Sequence, residues 1–214
     1  MFTGSNIATA HTRVDLSRCA IDPAYLTGSV RDPDEAAHSR LEDIQRRIAL
    51  AEEWVISRGA KGRTAVLDDE DLRVLPKGLT GRSLAGASFR RICGVGMDFS
   101  GAVLVGAVFN ESDLRDADFS RSDLRGASFQ DCRLDHARFD LSDLRSIETA
   151  KGRCAVSFFG SKLVQTRFDG AKVDMGSDHT PPSPTFGDSM ARSRQERLQG
   201  AKEECPDGYR TIHP

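Results

Sequence analysis

The sequence predicts a solenoid, a fold that repeats one short unit along an axis. An apolar residue recurs every five positions from Leu84 to Leu144, and a mostly small side chain stands two residues before each one. A period of five is neither the 3.6 residues of a helix nor the 2 residues of a strand. Self-similarity at a fixed period indicates a repeat architecture.

The repeated unit has a defined composition: a small residue, an Asp or Asn, a central Leu or Phe, and two variable positions, as in 117–121, Ala-Asp-Phe-Ser-Arg. In this pattern, residues 79–175 resemble the pentapeptide-repeat proteins. The resemblance implies a mainly β fold, a right-handed quadrilateral β-helix (pentapeptide-repeat solenoid) with one unit per side and about twenty residues per coil.

Stacking of like residues supports the same geometry. If four units make one coil, residues twenty apart lie one above another at ~4.8 Å, so that Leu stacks on Leu and Phe on Phe. At Gly94 the missing volume is predicted to be filled by Ile92, and at Thr149 by Ile147. The predicted structural core is Leu84, Phe89, Phe99, Leu104, Phe109, Leu114, Phe119, Leu124, Phe129, Leu134, Phe139, Leu144, Phe159, Leu163 and Phe168.

The phase of the repeat changes after Leu144. Phe159 keeps the original five-residue phase, whereas Leu163 and Phe168 come one residue early. This shift predicts a deletion of one residue between Phe159 and Leu163, and no inserted loop.

The segments that flank the repeat have different patterns. We predict a poorly ordered leader at 1–31, a helical N-terminal cap region with an irregular first coil at 32–78, the β-helix at 79–175, and a Pro-rich linker with a short helical or disordered C-terminal extension at 176–214. An N-terminal α-helix is predicted over 33–58, with Asp32 as its N-cap, Pro33 at the first position and Gly59 at its end. Its apolar stripe is Leu41, Ile44, Ile48, Ala51 and Val55.

Composition limits the cellular setting. The formal net charge of −2 gives no overall attraction to nucleic acid or to an anionic membrane. No run approaches the ~20 apolar residues that cross a bilayer. The five cysteines are odd in number, scattered and without CxxC spacing, which disfavours a zinc site and a disulfide framework and predicts a reducing cytoplasm. The alternative is secretion as a bacterial effector, with the Ser/Thr-bearing leader as the export signal.

Residues typical of enzymes are not grouped into any known motif. The five histidines are spread singly, and there is no HExxH, GxSxG, Walker or dinucleotide-binding pattern. We therefore expect no catalytic residues, no cofactor and no metal.

The resemblance implies one further activity, inhibition or protection of a type II topoisomerase such as DNA gyrase by a rod that mimics duplex DNA. Such mimicry needs a concentrated negative surface, yet residues 79–175 carry thirteen acidic and fourteen basic residues. The sequence therefore favours a non-enzymatic protein–protein interaction scaffold. DNA mimicry and a secreted effector that binds a host protein stay open as alternatives.

Four valines are predicted to point outward on neighbouring sides of the early coils: Val95, Val103, Val105 and Val108. An apolar outer patch marks a contact. Burial under helix 33–58 is the favoured explanation, and docking of a protein partner is the other. The expected partner is a protein, with a type II topoisomerase as one candidate, and a homodimer through a solenoid end or terminal helix is open. Direct binding of nucleic acid or membrane is not expected.

Overall fold

The structure is a computed structural model that describes residues 32–150 and 152–174. The predicted leader and the predicted C-terminal extension lie outside the described residues, as does the export signal on which the effector hypothesis depends. Two helices, α1 (Glu35–Ser39) and α2 (Leu41–Ile56), precede a β-solenoid whose first coil contains a short 3-10 helix (Leu72–Val74). A hairpin of two antiparallel strands, β1 (Ile147–Thr149) and β2 (Gly152–Cys154), interrupts the last coil. Within the described residues, no helix has the length and hydrophobicity to cross a bilayer.

Each regular coil contains twenty residues and has four corners. Parallel bridges join residues twenty positions apart, such as Ser83 with Val103 and Val103 with Asp123. At every fifth residue the chain takes the left-handed conformation, with φ of +68° at Gly86 and +54° at Arg91. These turn residues form the corners, and the central Leu or Phe of each unit points inward between two of them.

Each side of the coil is identified by its central residues. The first side holds Leu84, Leu104, Leu124 and Leu144; the second Phe89, Phe109 and Phe129; the third Gly94, Leu114 and Leu134; and the fourth Phe99, Phe119 and Phe139. All of these residues are buried.

Two stacks of phenylalanine rings fill the interior. Within a stack the rings are nearly parallel, as for Phe109 and Phe129 with centroids 4.9 Å apart. Across the coil the two stacks meet edge to face, as for Phe119 and Phe129 at 5.4 Å and 85°. Both arrangements are favourable for aromatic rings and add to the burial of their apolar surface. The side chains of Ile92 and Met97 fill the space beside Gly94.

The predicted deletion after Leu144 is wrong, because the chain contains an insertion there. Ser128 bridges Ser157, 29 positions on instead of 20, so nine residues that include the hairpin are added. Nine residues are one short of two units, so the insertion leaves the same phase as a one-residue deletion. Ile147 and Thr149 therefore lie in the hairpin and not in the core.

The insertion also changes which phenylalanine enters the core. Phe158 stacks on Phe129 with centroids 5.2 Å apart. Phe159 is 68% exposed, so its assignment to the core is wrong. Leu163 and Phe168 pack against the core from the last coil and are partly buried.

The N-terminal helix is divided in two and begins later than predicted. Asp34, and not Asp32, is the N-cap of α1, with its Oδ1 accepting a hydrogen bond from the Ala37 N–H at 2.8 Å. Arg40 separates α1 from α2. On α2 the predicted stripe is buried at Ile44, Ile48 and Ala51. Beyond the helix, Gly59 takes a φ of +84° and donates its N–H to the Trp54 carbonyl at 2.8 Å.

Helix α2 lies against the first coil, which is two residues longer than the regular twenty-residue coils because Val66 bridges Ser88 at a spacing of 22. The Arg47 guanidinium donates to the Val66 carbonyl at 2.8 Å and to the buried Glu70 carboxylate at 2.5 Å. Arg40 approaches the same carboxylate at 3.3 Å. These contacts cover a coil whose edge would otherwise be open to pairing with another chain.

Candidate interaction surface

The structure brings three of the four predicted contact residues together. Val103 and Val105 flank Leu104 on the first side, and Val108 lies just past the Gly106 corner on the second side. Val95 lies on the third side, across the coil from Val103 and Val105, so it does not belong to the same surface. The three grouped valines are each half-buried. We call Val103, Val105 and Val108 the valine patch.

Helix α2 makes its polar contacts outside the valine patch. Its polar contacts with the solenoid go to the first coil, including an ion pair between Glu52 and Arg82 at 2.8 Å. Val103 lies one coil beyond Ser83, and Val108 lies two coils beyond Val66. Among the described residues, no hydrogen bond or ion pair joins α2 to the patch. Burial of these side chains under helix 33–58 therefore stays a prediction.

The hairpin lies beside the valine patch and was missed by the sequence analysis. A Cβ added to Gly126 would stand 2.6 Å from Cγ1 of Ile147, so the hairpin rests on the Gly126 corner. This corner is one coil beyond Gly106. A turn-like stretch, Ala-Lys-Gly at 150–152, stands between the two short strands in the sequence and is the signal that could have revealed them.

On the first and third sides, four acidic residues carry their own counter-ions. The motif Asp-Leu-Arg occurs at 71–73, 113–115, 123–125 and 143–145. In each copy the Arg guanidinium forms an ion pair with the Asp carboxylate two residues before it. At Asp143 both carboxylate oxygens accept from Arg145, at 2.9 and 2.6 Å. These hydrogen bonds hold the pKa of Asp143 below its usual value and raise the pKa of Arg145.

Further ion pairs join one coil to the next. Arg138 reaches Asp118 at 3.5 Å and Asp140 at 3.7 Å, and Arg167 reaches Asp140 at 3.3 Å. These pairs lie on the fourth side. Among the described residues of the first, third and fourth sides, most carboxylates therefore lie beside arginines, whereas Asp98 and Asp135 have no ion pair within 4 Å.

The second side differs because its outward positions in the last three coils hold no ionisable group. Asn110 orders two of the neighbouring residues there, since its Oδ1 accepts from the Ser128 hydroxyl at 2.7 Å and from the Gln130 N–H at 3.0 Å. We call this surface the uncharged face; it consists of Val108, Asn110, Ser128, Gln130, Ser157 and Phe159.

Comparison with known proteins gives the family. The model for pentapeptide repeats matches residues 83–121, 95–131 and 122–146, in eight copies. The chain is a pentapeptide-repeat protein. A search of the curated proteins found no match.

Several solved structures resemble this pentapeptide-repeat protein. A pentapeptide repeat protein from Nostoc is 24% identical, with a TM-score of 0.36, and the match covers 46% of this chain and 85% of that one. One from the Arabidopsis thaliana thylakoid lumen is 26% identical, with a TM-score of 0.26, covering 46% and 69%. QnrB1, a plasmid-mediated fluoroquinolone resistance protein, is 17% identical, with a TM-score of 0.21, covering 52% and 71%. At these TM-scores nothing about function is carried over.

One corner of the pentapeptide-repeat coil uses side chains in place of a turn hydrogen bond. Between the second and third sides, the Ser112 hydroxyl donates to the Phe89 carbonyl at 2.8 Å and accepts from the Ile92 N–H at 3.1 Å. One coil on, the Cys132 thiol donates to the Phe109 carbonyl at 2.9 Å. Burial raises the pKa of the Cys132 thiol to about 12.

Beyond this corner, the described residues include two more cysteines and a cavity. Cys93 is a free, half-buried thiol, and Cys154 is disulfide-bonded, which the scatter of cysteines did not predict. No group of His, Cys, Asp and Glu side chains in 32–150 and 152–174 is arranged to hold a metal ion. A cavity of 310 Å³ between α2 and the first coil is lined by Gln45, Ile48, Leu75, Pro76, Lys77, Gly78, Leu79 and Arg82. This lining contains no carboxylate, thiol or imidazole.

Proposed function

We propose that this pentapeptide-repeat protein is a non-enzymatic scaffold that presents a rigid surface to a protein partner. The valine patch carries the proposal, because three half-buried aliphatic side chains stand at outward positions, with no hydrogen bond or ion pair to α2 among the described residues. Elsewhere on the first side the same positions hold ion-paired residues such as Asp123 and Arg125. An apolar area on an otherwise charged surface is typical of a contact site.

The fold supports a scaffold role in a second way. The inward Leu and Phe residues determine the coil, so the outward residues can match a partner without altering the core. The phenylalanine stacks make the surface rigid, which lowers the conformational entropy lost on binding. A second copy of the chain is one partner in this proposal, since the last coil leaves Phe158, Leu163 and Phe168 only partly buried.

The test compares two variants in affinity capture from a lysate of the native host. Val103→Asp with Val105→Asp places two charges on the valine patch, and Val95→Asp places one at an outward position across the coil. We expect the double variant to lose the captured partner while Val95→Asp retains it, with both proteins melting within a few degrees of the wild type. Equal capture by all three proteins would overturn the role of the patch.

Topoisomerase mimicry is the less favoured function. The acidic surface that mimicry needs is largely neutralised in this protein, because Asp113, Asp123 and Asp143 each accept two hydrogen bonds from an arginine. A supercoiling assay with DNA gyrase separates the two functions. We expect no inhibition and no protection at micromolar protein, and a clear effect there would favour mimicry over the scaffold.

A further inference from the structure

The uncharged face is the part of the last three coils that a partner could cover without disturbing an ion pair. Its outward side chains are amides, hydroxyls and apolar groups, and Phe159 is 68% exposed at its far end. The side-chain amide of Gln130 makes no hydrogen bond with the described residues, so it is available to a ligand. The other three sides carry Asp–Arg pairs, whose charges would be costly to desolvate.

The two edges of the uncharged face are different from each other. At one edge the hairpin covers the Gly126 corner with Ile147. At the other edge stand Glu111 and Asp131, both exposed and both without an ion pair within 4 Å among the described residues, although Arg91 lies near enough to attract Glu111. In the first coil the same corner is neutralised, because Asp69 pairs with Arg91 at 2.7 Å. The uncharged face therefore has one negative edge.

The dimensions of the face limit what can occupy it. One side of a coil is ~10 Å wide, and three coils extend ~14 Å along the axis, so the face offers on the order of 140 Å². A stable dimer of globular proteins buries about 800 Å² on each partner. An α-helix with its side chains is ~10 Å across, which matches the width of one side. The face is suited to a single segment of chain and is too small for a second solenoid.

We propose that the uncharged face binds one amphipathic helix of a protein partner. The side of this helix that meets the face carries aliphatic and amide residues, and Lys or Arg residues follow one edge to meet Glu111 and Asp131. The proposal rests on the scaffold function and specifies the surface and the chemistry of the segment it binds.

The experiment uses the full chain with a photo-crosslinking amino acid, p-benzoylphenylalanine, in cells that express the protein. It is placed at Gln130 on the uncharged face, or at Ser120, an outward position on the fourth side, as the matched control. Each form is made with wild-type edges, with Glu111→Lys and Asp131→Lys together, and with Asp116→Lys and Asp135→Lys on the third side. Mass spectrometry of the crosslinked peptide identifies the segment that contacts position 130.

We expect a crosslink from position 130 to a helical segment with flanking Lys or Arg. Reversal of Glu111 and Asp131 should lower its yield at least about tenfold, and reversal of Asp116 and Asp135 should leave it within about twofold. A crosslink from position 120 alone would overturn this proposal and leave the scaffold function standing. Equal loss with both pairs of reversals, or an acidic segment, would also overturn it. The absence of a crosslink from either position would count against both the helix-binding proposal and the scaffold function.

Discussion

Ile147 rests directly on Gly126, with its Cγ1 at 2.6 Å and its Cδ1 at 2.7 Å from where a Cβ on that glycine would stand. Gly126 belongs to the fourth coil, whereas Ile147 opens the hairpin inserted into the fifth. The left-handed φ of +66° at Gly126 is shared with the other corners, and Gly160 and Gly170 also have a side chain in close approach, whereas Gly101 has no atom within 4 Å. Gly126 therefore has two reasons to lack a side chain, and Gly101 has one.

Replacing Gly126 with Ala should destabilise the protein more than the same change at Gly101. Both glycines have φ near +65°, so each alanine carries about 1 kcal/mol of left-handed strain. Only Gly126 also has a side chain in contact, and overpacking adds about 1–3 kcal/mol. Chemical denaturation of the two variants measures the difference.

The cause of that difference can be isolated with Ile147→Ala. This change on its own removes part of the hairpin contact, and combined with Gly126→Ala it makes room for the new methyl group. We expect the double variant to lose less free energy of unfolding than the sum of the losses in the two single variants. Strict additivity would mean that Ile147 does not meet position 126 in solution.

The five-residue period predicted the stacked coils because the inward side chains must repeat with the backbone. Phase alone did not distinguish an insertion of nine residues from a deletion of one, which is why Phe159 was assigned to the core in place of Phe158. The hairpin was not predicted for the same reason, because it is part of that nine-residue insertion. The grouping of Val103, Val105 and Val108 without Val95 depends on which side each unit occupies, and this follows only when coils are counted around the corners.

Phe119→Ala and Phe159→Ala should differ sharply in their effect on stability. Phe119 is fully buried and stacks on Phe99 at 4.6 Å and on Phe139 at 4.9 Å, so its truncation should cost about 3–5 kcal/mol. Phe159 is mostly exposed, and its truncation should change stability by about 0.5 kcal/mol or less. Urea denaturation tests both predictions. A large loss of unfolding free energy in Phe159→Ala would indicate that Phe159 belongs to the core.

The contact of α2 with the first coil should depend on Glu70. Its side chain is 7% exposed and faces Arg47 and Arg40, so Glu70→Gln leaves the largely buried Arg47 guanidinium with only the more exposed Asp43 carboxylate as counter-ion. We expect a loss of about 2 kcal/mol, below the range for fully buried pairs because Arg40 is half exposed. Hydrogen exchange should show faster opening of α2, with the later coils unchanged.

Glu52→Gln is the matched control for this prediction. It removes a carboxylate from the same junction, but its partner Arg82 is half exposed, so the pair should contribute less than about 1 kcal/mol. If the two substitutions weaken α2 equally, the buried position of Glu70 has no special importance.

Cys132 should make the protein less stable in alkali. Its thiol pKa is about 12 in the folded chain and 9.0 when unperturbed, so between these values the unfolded chain loses a proton that the folded chain keeps. The free energy of unfolding therefore falls as pH rises, by about 2 kcal/mol at pH 10.5. Cys132→Ser should remove this part of the fall, since Ser112 and Ser161 already donate to Phe89 and Phe129 at the equivalent corners. Parallel pH series of both proteins test this, and identical slopes above pH 9 would show that the thiol does not contribute.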